Sequence, residues 1–525
     1  MEDGEKPLLS HMYDGNGQLN PQNCLTPPSE KLWYLAGPSI FTSICQYGIG
    51  ALTQIFAGQL GTIQLAAIAV ENCVIAAFGY GILMGMGSAL ETLCGQAYGA
   101  NRHNMLGIYM QRSWVILNTL ALWILPLFIF ATPILKLFGQ NASIAKEGGK
   151  FALWMIPQQF AYAITIPLAK FLQAQSKVME MAVISAIAVC LHAFLGWLVM
   201  MKLRLGLLGA ALMLNASWWF ITIGQFLYVM SGNCGRSWSG FSWKALRNLS
   251  GFAKLSVSSA VMLSLEVWCI MALTLAAGYL PNAEISVDAL SICMNIIGWS
   301  GMVGLGFNVA ISVTVSKKLG CGRPRAAKFA VIVVGLTAFL FGLIFALILL
   351  LNWKDFPALF TDSAEVQQLV QELCYMVVST FENFDIQYGL DLKNKGGILV
   401  AQKKKQKQGT HVAQVKTLVK VNLSLGVVKP CVGWVAIGAG WQNTVALINA
   451  GCYFLLGVPL SLVTGFKFDM GVKGIWYGML FGLSLQAGSL PWMTIRTNWN
   501  KEAYAAEERL KLWGGETEAQ IDEVK

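Results

Sequence analysis

Long apolar runs, each separated from the next by a short polar stretch, recur along the whole chain. A run of about 20 apolar residues is the length that an α-helix needs to cross the hydrocarbon core of a bilayer. A water-soluble protein could not bury so many runs, so the pattern predicts an all-α membrane protein with many spans. The predicted transmembrane helices, twelve in number, occupy residues 33–58, 66–90, 108–131, 151–172, 181–201, 207–230, 252–278, 285–312, 326–352, a broken helix from 370, 443–465 and 474–494.

The polar stretch SGNCGRSWSGFSWKALRNLS divides these helices into two sets of six. The first set recurs weakly in the second, since ALETLCGQAYGANR (89–102) matches AISVTVSKKLGCGR (310–323) and pairs Gly99 with Gly320. A parallel repeat of this kind implies two lobes related by a pseudo-two-fold axis along the membrane normal. The predicted organisation is a cytoplasmic N-terminal tail (1–31), an N-lobe (32–230), a cytoplasmic connector (231–250), a C-lobe (251–495) and a cytoplasmic C-terminal tail (496–525).

The orientation is predicted from the basic residues of the loops. With both termini in the cytoplasm, the inside loops hold 11 Lys and Arg residues and the outside loops hold eight. Loops rich in Lys and Arg tend to stay on the cytoplasmic side of a membrane. We therefore expect both termini to be cytoplasmic.

A lysine-rich segment interrupts the apolar pattern of the second set. The stretch VAQKKKQKQGTHV (400–412) holds four Lys, and each would cost about 2.5–3.5 kcal/mol at the bilayer centre. Around this segment the offset between matching parts of the two halves rises from 222 to 265 residues, which leaves about 43 surplus residues. We predict that an insertion at about 381–434 interrupts helix ten. It is either translated intron or misjoined exon sequence, or a genuine cytoplasmic loop.

Composition and charge exclude several other classes of protein. The chain has 525 residues, of which 55% are hydrophobic and 12% charged, against about 25% charged in soluble proteins. Its net charge is +10, but residues 379–438 alone contribute +6, so a nucleic-acid partner is not expected. The 12 Cys are scattered without a C-x-x-C pair, which argues against a metal site. The sequence has no G-x-S-x-G, H-E-x-x-H or P-loop motif, so we expect neither catalysis nor a cofactor. Because a P-loop for ATP hydrolysis is missing, we expect an ion gradient to supply the energy.

Six segments together resemble one family. They are GMGSALETLCGQAYGA (85–100), KFLQAQSKV (170–178), SAVMLSLEVW (259–268), VDALSICMN (287–295), GAGWQ (438–442) and RTNWNKEAYAAEERLKLWGG (496–515). These segments closely resemble plant multidrug and toxic compound extrusion (MATE) transporters of the detoxification subgroup. The resemblance implies the MATE fold, with two pseudo-symmetric six-helix lobes, and export of organic solutes against a cation gradient, usually of protons. The resemblance does not extend over about 381–434. In that segment Gly426 stands in place of the Asn or Asp that is usual in helix ten of the family.

Three polar residues of the C-lobe are candidates for solute or proton binding. Glu266 lies in the middle of an apolar helix, where an ionisable group is costly and marks a functional site by default. The resemblance also places the family's acidic helix-seven site at Glu266, although a purely structural role is the alternative. Asp288 and Asn295 are seven residues apart, so they share a face of helix eight and could line a cavity with Glu266. Asp288 could instead cap its helix.

The N-lobe holds two further candidates at membrane depth. Glu71 lies within helix two, in AVENCVIAAFGYG, and Gln46 forms a polar stripe with Thr42 in helix one. They could line an N-lobe cavity, or they could make hydrogen bonds between helices. His192 is interpreted as a hydrogen-bonded packing residue rather than a proton relay.

The turn between helices two and three carries a dense group of polar and small residues. We interpret this group as a conformational latch, in which the glycines permit close packing and the acid lies within reach of the arginine. The latch residues are Glu91, Gly95, Gln96, Gly99 and Arg102.

These observations predict a proton-coupled antiporter that exports or sequesters organic solutes by alternating access. The expected partners are small organic solutes (xenobiotics, organic cations and flavonoid-type metabolites), protons and the lipid bilayer, and we expect a monomer. The alternatives are an anion channel or anion transporter on the same fold, or a non-functional splice or gene-model variant. Residence in the vacuolar membrane and in the plasma membrane are both compatible with the sequence.

Overall fold

The computed structural model describes residues 28–247, 249–277, 279–280, 283–353, 355–359, 363–380 and 435–513. The insertion predicted at 381–434 lies outside these residues. Within them the chain consists of α-helices, short 3₁₀ and π-helical turns and connecting loops, and no β-strand occurs there. The predicted all-α class is therefore confirmed.

Each predicted span of the first lobe contains a helix. The helices are α1 (Pro28–Leu60), α2 (Thr62–Val70), α3 (Ala77–Gly99), α4 (Asn104–Ile129), α5 (Ala131–Leu137), α6 (Ala142–Trp154), α7 (Ile156–Ala174), α8 (Val178–Gly196) and α9 (Gly206–Tyr228). A π-helical turn, Glu71–Ala76, joins α2 to α3 into one long span. Two others extend α8 (Trp197–Lys202) and α9 (Val229–Asn233).

The second lobe repeats the pattern as far as the structure describes it. Its helices are α10 (Leu249–Ala277), α11 (Ala283–Gly320), α12 (Pro324–Leu351), α13 (Ala364–Thr380), α14 (Gln442–Asn449), α15 (Val458–Leu462) and α16 (Gly471–Arg496). The π-helical turns Ala450–Gly457 and Val463–Lys467 join α14 and α15 into one bent span. The chain then enters the amphipathic helix α17 (Trp499–Trp513).

Nine helical spans among the described residues are long and apolar enough to cross a membrane. The other three predicted spans are helical in the residues that the structure describes, but each is too short or too polar to be counted among the nine. α7 carries Lys170 and buries most of its residues against other helices, so its composition need not suit lipid. α16 is continuous but contains five glycines, which lower its mean hydropathy, and α13 has only 17 residues before residue 381, where the insertion is predicted to begin.

The two lobes meet along four helices. α3 of the first lobe packs against α10 and α11 of the second, and α1 also packs against α11. At the predicted cytoplasmic end, a Cβ on Gly99 would overlap the backbone of Lys317, and a Cβ on Gly320 would overlap that of Gln96. The two glycines paired by the repeat are thus both at the contact between lobes. We call this contact the interlobe seam (residues 92–99, 316–321 and 437–442).

Candidate functional site

A cleft opens in the first lobe beside α11 of the second. It encloses about 780 Å³, including the part open to solvent. Its wall combines hydroxyl, amide and aromatic side chains from α1, α3, α7 and α9. Residues representative of this wall are Thr42, Gln46, Tyr80, Tyr162, Lys170 and Trp218.

Gln46 lies in the cleft wall, as predicted for an N-lobe cavity. Its side chain is half-buried, and its Nε2 donates only a long hydrogen bond of 3.5 Å to Ser185 Oγ. Thr42, one turn earlier, donates to the carbonyl of Pro38 at 2.8 Å. The amide of Gln46 is therefore the more available of the two groups for a solute.

Three aromatic rings form one side of the cleft. Tyr80 meets Tyr162 edge-on, with ring centroids 5.0 Å apart, and Tyr162 meets Trp218 edge-on at 4.6 Å. Gln158 donates to the hydroxyl of Tyr162 at 2.5 Å, which fixes the middle ring. Such a wall offers a flat apolar surface to an aromatic solute. The sequence analysis did not identify these rings, because aromatic residues in membrane helices more often face lipid or other helices.

A buried ion pair lies at the edge of the cleft, close to the interlobe seam. Lys170 Nζ is 2.6 Å from Glu91 Oε2, and the two side chains are 3% and 0% exposed. Arg102, the residue predicted to reach Glu91, lies beyond the end of α3 and donates to the carbonyl of Leu510 at 3.4 Å. Lys170 was not predicted as the partner of Glu91. The signal was available, since a lone lysine within a membrane helix requires a buried acid.

Other residues of the predicted latch do lie at the contact between lobes. Gln96 Nε2 donates to the carbonyl of Gly438 at 3.3 Å. Thr92 donates to the carbonyl of Ile437, and Gln442 Nε2 donates to Thr92 Oγ1 at 2.9 Å. Gly95 faces Ser316 of α11 so closely that a Cβ would overlap its side chain. These bonds connect α3 with the segment 437–442, which follows the predicted insertion.

The amphipathic helix α17 covers the seam from outside the membrane region. Trp499 packs against Trp441 with ring centroids 5.6 Å apart, and Arg509 Nη2 donates to the carbonyl of Ala439 at 2.9 Å. Gly440 has a positive φ of 87°, and a Cβ there would collide with the Arg509 guanidinium. Leu510 packs instead into a cluster made mainly of first-lobe residues. One helix therefore packs on both lobes.

Glu71 is fully buried within the π-helical turn between α2 and α3. Among the described residues, neither of its carboxyl oxygens has a hydrogen-bond partner. The acid lies near enough to the hydroxyl of Tyr162 to interact with it electrostatically. Turns of π-helix inside α-helices are frequent at functional sites.

His192 is a packing residue, as expected. Its Nε2 lies 2.9 Å from Thr53 Oγ1 and its Nδ1 lies 2.8 Å from Ser217 Oγ, so it connects α8 with α1 and α9.

The candidates of the second lobe lie on α10 and α11. Glu266 is half-buried on α10, and Asn295 is exposed on α11. Asp288 lies in the first part of α11, and its side chain is outside the described part of the structure. A role for these three residues in binding stays a prediction.

A buried polar group near Glu266 was missed by the sequence analysis. Tyr453, Gln486 and Asn449 are each at most 3% exposed and are hydrogen-bonded to one another. The sequence gives no reason to group the three, because Gln486 is 33 residues from Tyr453 and 37 from Asn449.

Comparisons with known proteins agree with this architecture. The MatE family model matches residues 38–198 and 258–382. Protein DETOXIFICATION 29 of Arabidopsis thaliana is 49% identical over 497 residues, which cover 95% of this chain and 90% of that protein. Protein DETOXIFICATION 32 of the same plant is 49% identical over 489 residues, covering 93% of this chain and 87% of that protein.

Solved structures share the fold. The crystal structure of the eukaryotic MATE transporter AtDTX14 superposes with a TM-score of 0.81 at 29% identity, covering 92% of this chain and 99% of that one. The Vibrio cholerae MATE transporter VcmN in its bent form superposes with a TM-score of 0.69 at 17% identity, covering 93% of this chain and 98% of that one.

Proposed function

Because the chain belongs to the MATE family of multi-pass membrane transporters, we propose that it is a proton-coupled antiporter that exports organic solutes by alternating access. Efflux of organic compounds is the activity of the family. The coupling to protons, the class of solute and the residues that bind them are the substance of the proposal.

The cleft supports an organic solute with an aromatic part. The rings of Tyr80, Tyr162 and Trp218 offer a flat wall, and Gln46 offers a polar group at membrane depth. Apolar lining with a few placed polar groups is typical of small-molecule sites.

The burial of Glu71 is the observation that carries proton coupling. A carboxylate without partners at membrane depth costs several kcal/mol, so the acid is stable there only when protonated. A movement that brings water to Glu71 would allow it to release that proton. We assign the matching role in the second lobe to Glu266. Each lobe then holds one acid that takes up a proton in one conformation and releases it in the other.

The interlobe seam provides the element that must open and close. Hydrogen bonds from Thr92 and Gln96 hold α3 to the second lobe at the predicted cytoplasmic end. In an alternating-access cycle, the lobes rock until these bonds break and the cleft opens toward the cytoplasm.

The test is transport by the purified protein in liposomes, with a fluorescent aromatic organic cation as the probe. We expect uptake that requires a pH gradient and stops when an ionophore collapses it. Glu266→Gln and Glu71→Gln should each abolish pH-driven uptake. Glu147→Gln, which removes an exposed acid paired with Lys150, should transport at the wild-type rate and serves as the control.

Two outcomes would overturn the proposal. Full pH-driven uptake by Glu266→Gln and by Glu71→Gln would remove both acids from coupling. A current whose reversal potential follows the gradient of a permeant anion, whatever the pH difference, would instead identify an anion channel.

The predicted insertion requires its own check before the flux is measured. Sequencing of the transcript across residues 379–438, with peptide mapping of the protein, decides between intron or exon error and a genuine loop. If the segment is translated, flux of this form must be measured directly, because helix ten then differs from that of the family.

A further inference from the structure

The connector between the two lobes lies against the first half of α4. Gln111 of α4 holds its backbone at two points, since Nε2 donates to the carbonyl of Gly240 at 3.0 Å and Oε1 accepts from the amide of Ser242 at 2.9 Å. Gly240 has a positive φ of 93°, a conformation that glycine adopts at little cost, so the chain turns here. The residues that follow this turn are therefore held on the surface of α4.

Aromatic rings fix the same part of the connector. Trp114 of α4 lies beside both Trp238 and Phe241, with ring centroids 6.2 and 6.3 Å apart, and Trp238 meets Phe241 edge-on at 5.3 Å. Arg112 Nη2 donates to the carbonyl of Lys244 at 3.4 Å. These contacts give the outer side of the connector a defined surface.

That outer surface is apolar and basic. Phe241, Trp243 and Leu246 are 72%, 86% and 49% exposed, and Lys244, which lies between the last two in the sequence, is exposed as well. Residues 231–254 hold four Lys and Arg and no Asp or Glu. The exposed apolar side chains are thus accompanied only by positive charge in their own segment. We call this surface the connector patch (residues 241–246).

The connector patch lies at the level where the membrane surface is expected. α4 has 26 residues, and Arg112 is its last charged one. The uncharged remainder, residues 113–129, is just long enough to cross the hydrocarbon core. Gln111 and Arg112, which contact the connector, are therefore at the predicted cytoplasmic boundary between headgroups and hydrocarbon. The patch beside them lies at the same depth.

An anionic phospholipid matches both properties of the patch at this depth. Cytoplasmic leaflets carry anionic lipids, and each Lys or Arg near their surface contributes to binding. Tryptophan concentrates at the same level because its ring is apolar and its N–H is polar. A headgroup with negative charge can pair with Lys244, and the acyl chains below it can cover Trp243.

We propose that the connector patch is a binding site for anionic phospholipids of the cytoplasmic leaflet, in which Lys244 pairs with the headgroup and Trp243 packs on the upper part of the acyl chains. The site lies outside the solute cleft, and the proposal does not depend on which ion drives transport. Because the connector joins α9 of the first lobe to α10 of the second, a lipid bound there attaches the joint between the lobes to the membrane surface.

The test is native mass spectrometry of the purified full-length protein in detergent, titrated with dioleoyl phosphatidylserine or with dioleoyl phosphatidylcholine. We expect the wild type to bind phosphatidylserine more tightly. Lys244→Gln should weaken the binding of phosphatidylserine about fivefold and leave that of phosphatidylcholine unchanged. Trp243→Ala removes an apolar contact that both lipids share, so it should weaken both to a similar extent.

The matched control is Lys146→Gln, which removes the same charge from an exposed position on α6. Lys146 lies beside Glu147 and away from the connector, so this variant should keep the wild-type affinity for both lipids. Lys244 and Trp243 are exposed, and their variants should elute from size-exclusion chromatography as the wild type does.

Three results would overturn the proposal. Equal affinity of the wild type for the two lipids would show that the patch does not select a headgroup. Selective binding of phosphatidylserine that Lys244→Gln weakens no more than Lys146→Gln does would locate the site elsewhere. A dimer that Trp243→Ala dissociates would make the patch an interface between two copies of the chain.

Discussion

Glu71 and Glu91 lie on the same long helical span, both fully buried, yet their surroundings differ. Glu91, near the interlobe seam, is 2.6 Å from Lys170. Hydrogen-bond partners do not separate the two acids, because within the described part of the chain the oxygens of both lack them. The difference is the cation, since Glu71, in the π-helical turn toward the other end, forms no ion pair with a described residue. Two glycines of the span differ in the same way. A Cβ added to Gly99 would overlap the backbone of Lys317, whereas a Cβ added to Gly81 would lie 3.9 Å from Val267 Cγ2, an ordinary contact.

The difference separates two uses of a buried acid. An ionised carboxylate can remain in a membrane protein when a cation stays beside it, so Glu91 is suited to holding helices together. An acid without a partner is stable there only in its neutral form, so Glu71 is suited to carrying a proton. The end of the span that holds Glu91 is therefore fixed by an ion pair and by close packing. At the other end, the carboxyl group of Glu71 can gain or lose a proton.

The largest expected effect comes from removing the cation at the fixed end. Lys170→Met leaves the Glu91 carboxylate buried and unpaired, and should destabilise the protein by about 3–5 kcal/mol. Thermal unfolding in detergent measures the change. The double variant Lys170→Met, Glu91→Gln should recover most of the loss. A single variant that unfolds at the wild-type temperature would show that the pair does not hold the helices.

A smaller effect is expected from crowding the interlobe seam. Gly99→Ala adds a Cβ against the backbone of Lys317, which cannot yield as a flexible side chain would. We expect a loss of about 1–3 kcal/mol in the free energy of unfolding.

The matched control for Gly99→Ala is Gly81→Ala on the same helix, where the added methyl has room and the cost should be near zero or slightly favourable. Equal unfolding temperatures for the two variants would contradict the close packing assigned to the seam.

Gly99 and Gly320 show how far the sequence predicted this site. The internal repeat paired them, and small residues beside a tight turn predicted close packing, which the structure confirms. The helices were also predictable, because apolar length and period are local properties of the chain. The polar stripe on α1 left Gln46 with two possible positions, and in the structure it both lines the cleft and donates to Ser185 of α8.

The ion pair shows where proximity in the sequence pointed to the wrong partner. Lys170 is 79 residues from Glu91, and only the packing of α7 against α3 brings them together. The nearer candidate in sequence, Arg102, lies past the end of α3 and contacts α17. The hydrogen bonds from Tyr453 to Gln486 and from Gln486 to Asn449 could not be predicted for the same reason, since they depend on which helices pack together.

The smallest expected effect on stability belongs to Glu71. If the acid is neutral in this conformation, Glu71→Gln replaces a carboxylic acid with an amide of the same shape and no charge is lost. The free energy of unfolding should then change by less than about 0.5 kcal/mol, although pH-driven uptake is abolished. Glu91→Gln, measured beside it, should be strongly destabilising because it removes the carboxylate of a buried ion pair with Lys170. Similar losses in the two variants would mean that both acids are ionised, and the division of the span into a fixed end and a proton-carrying end would fail.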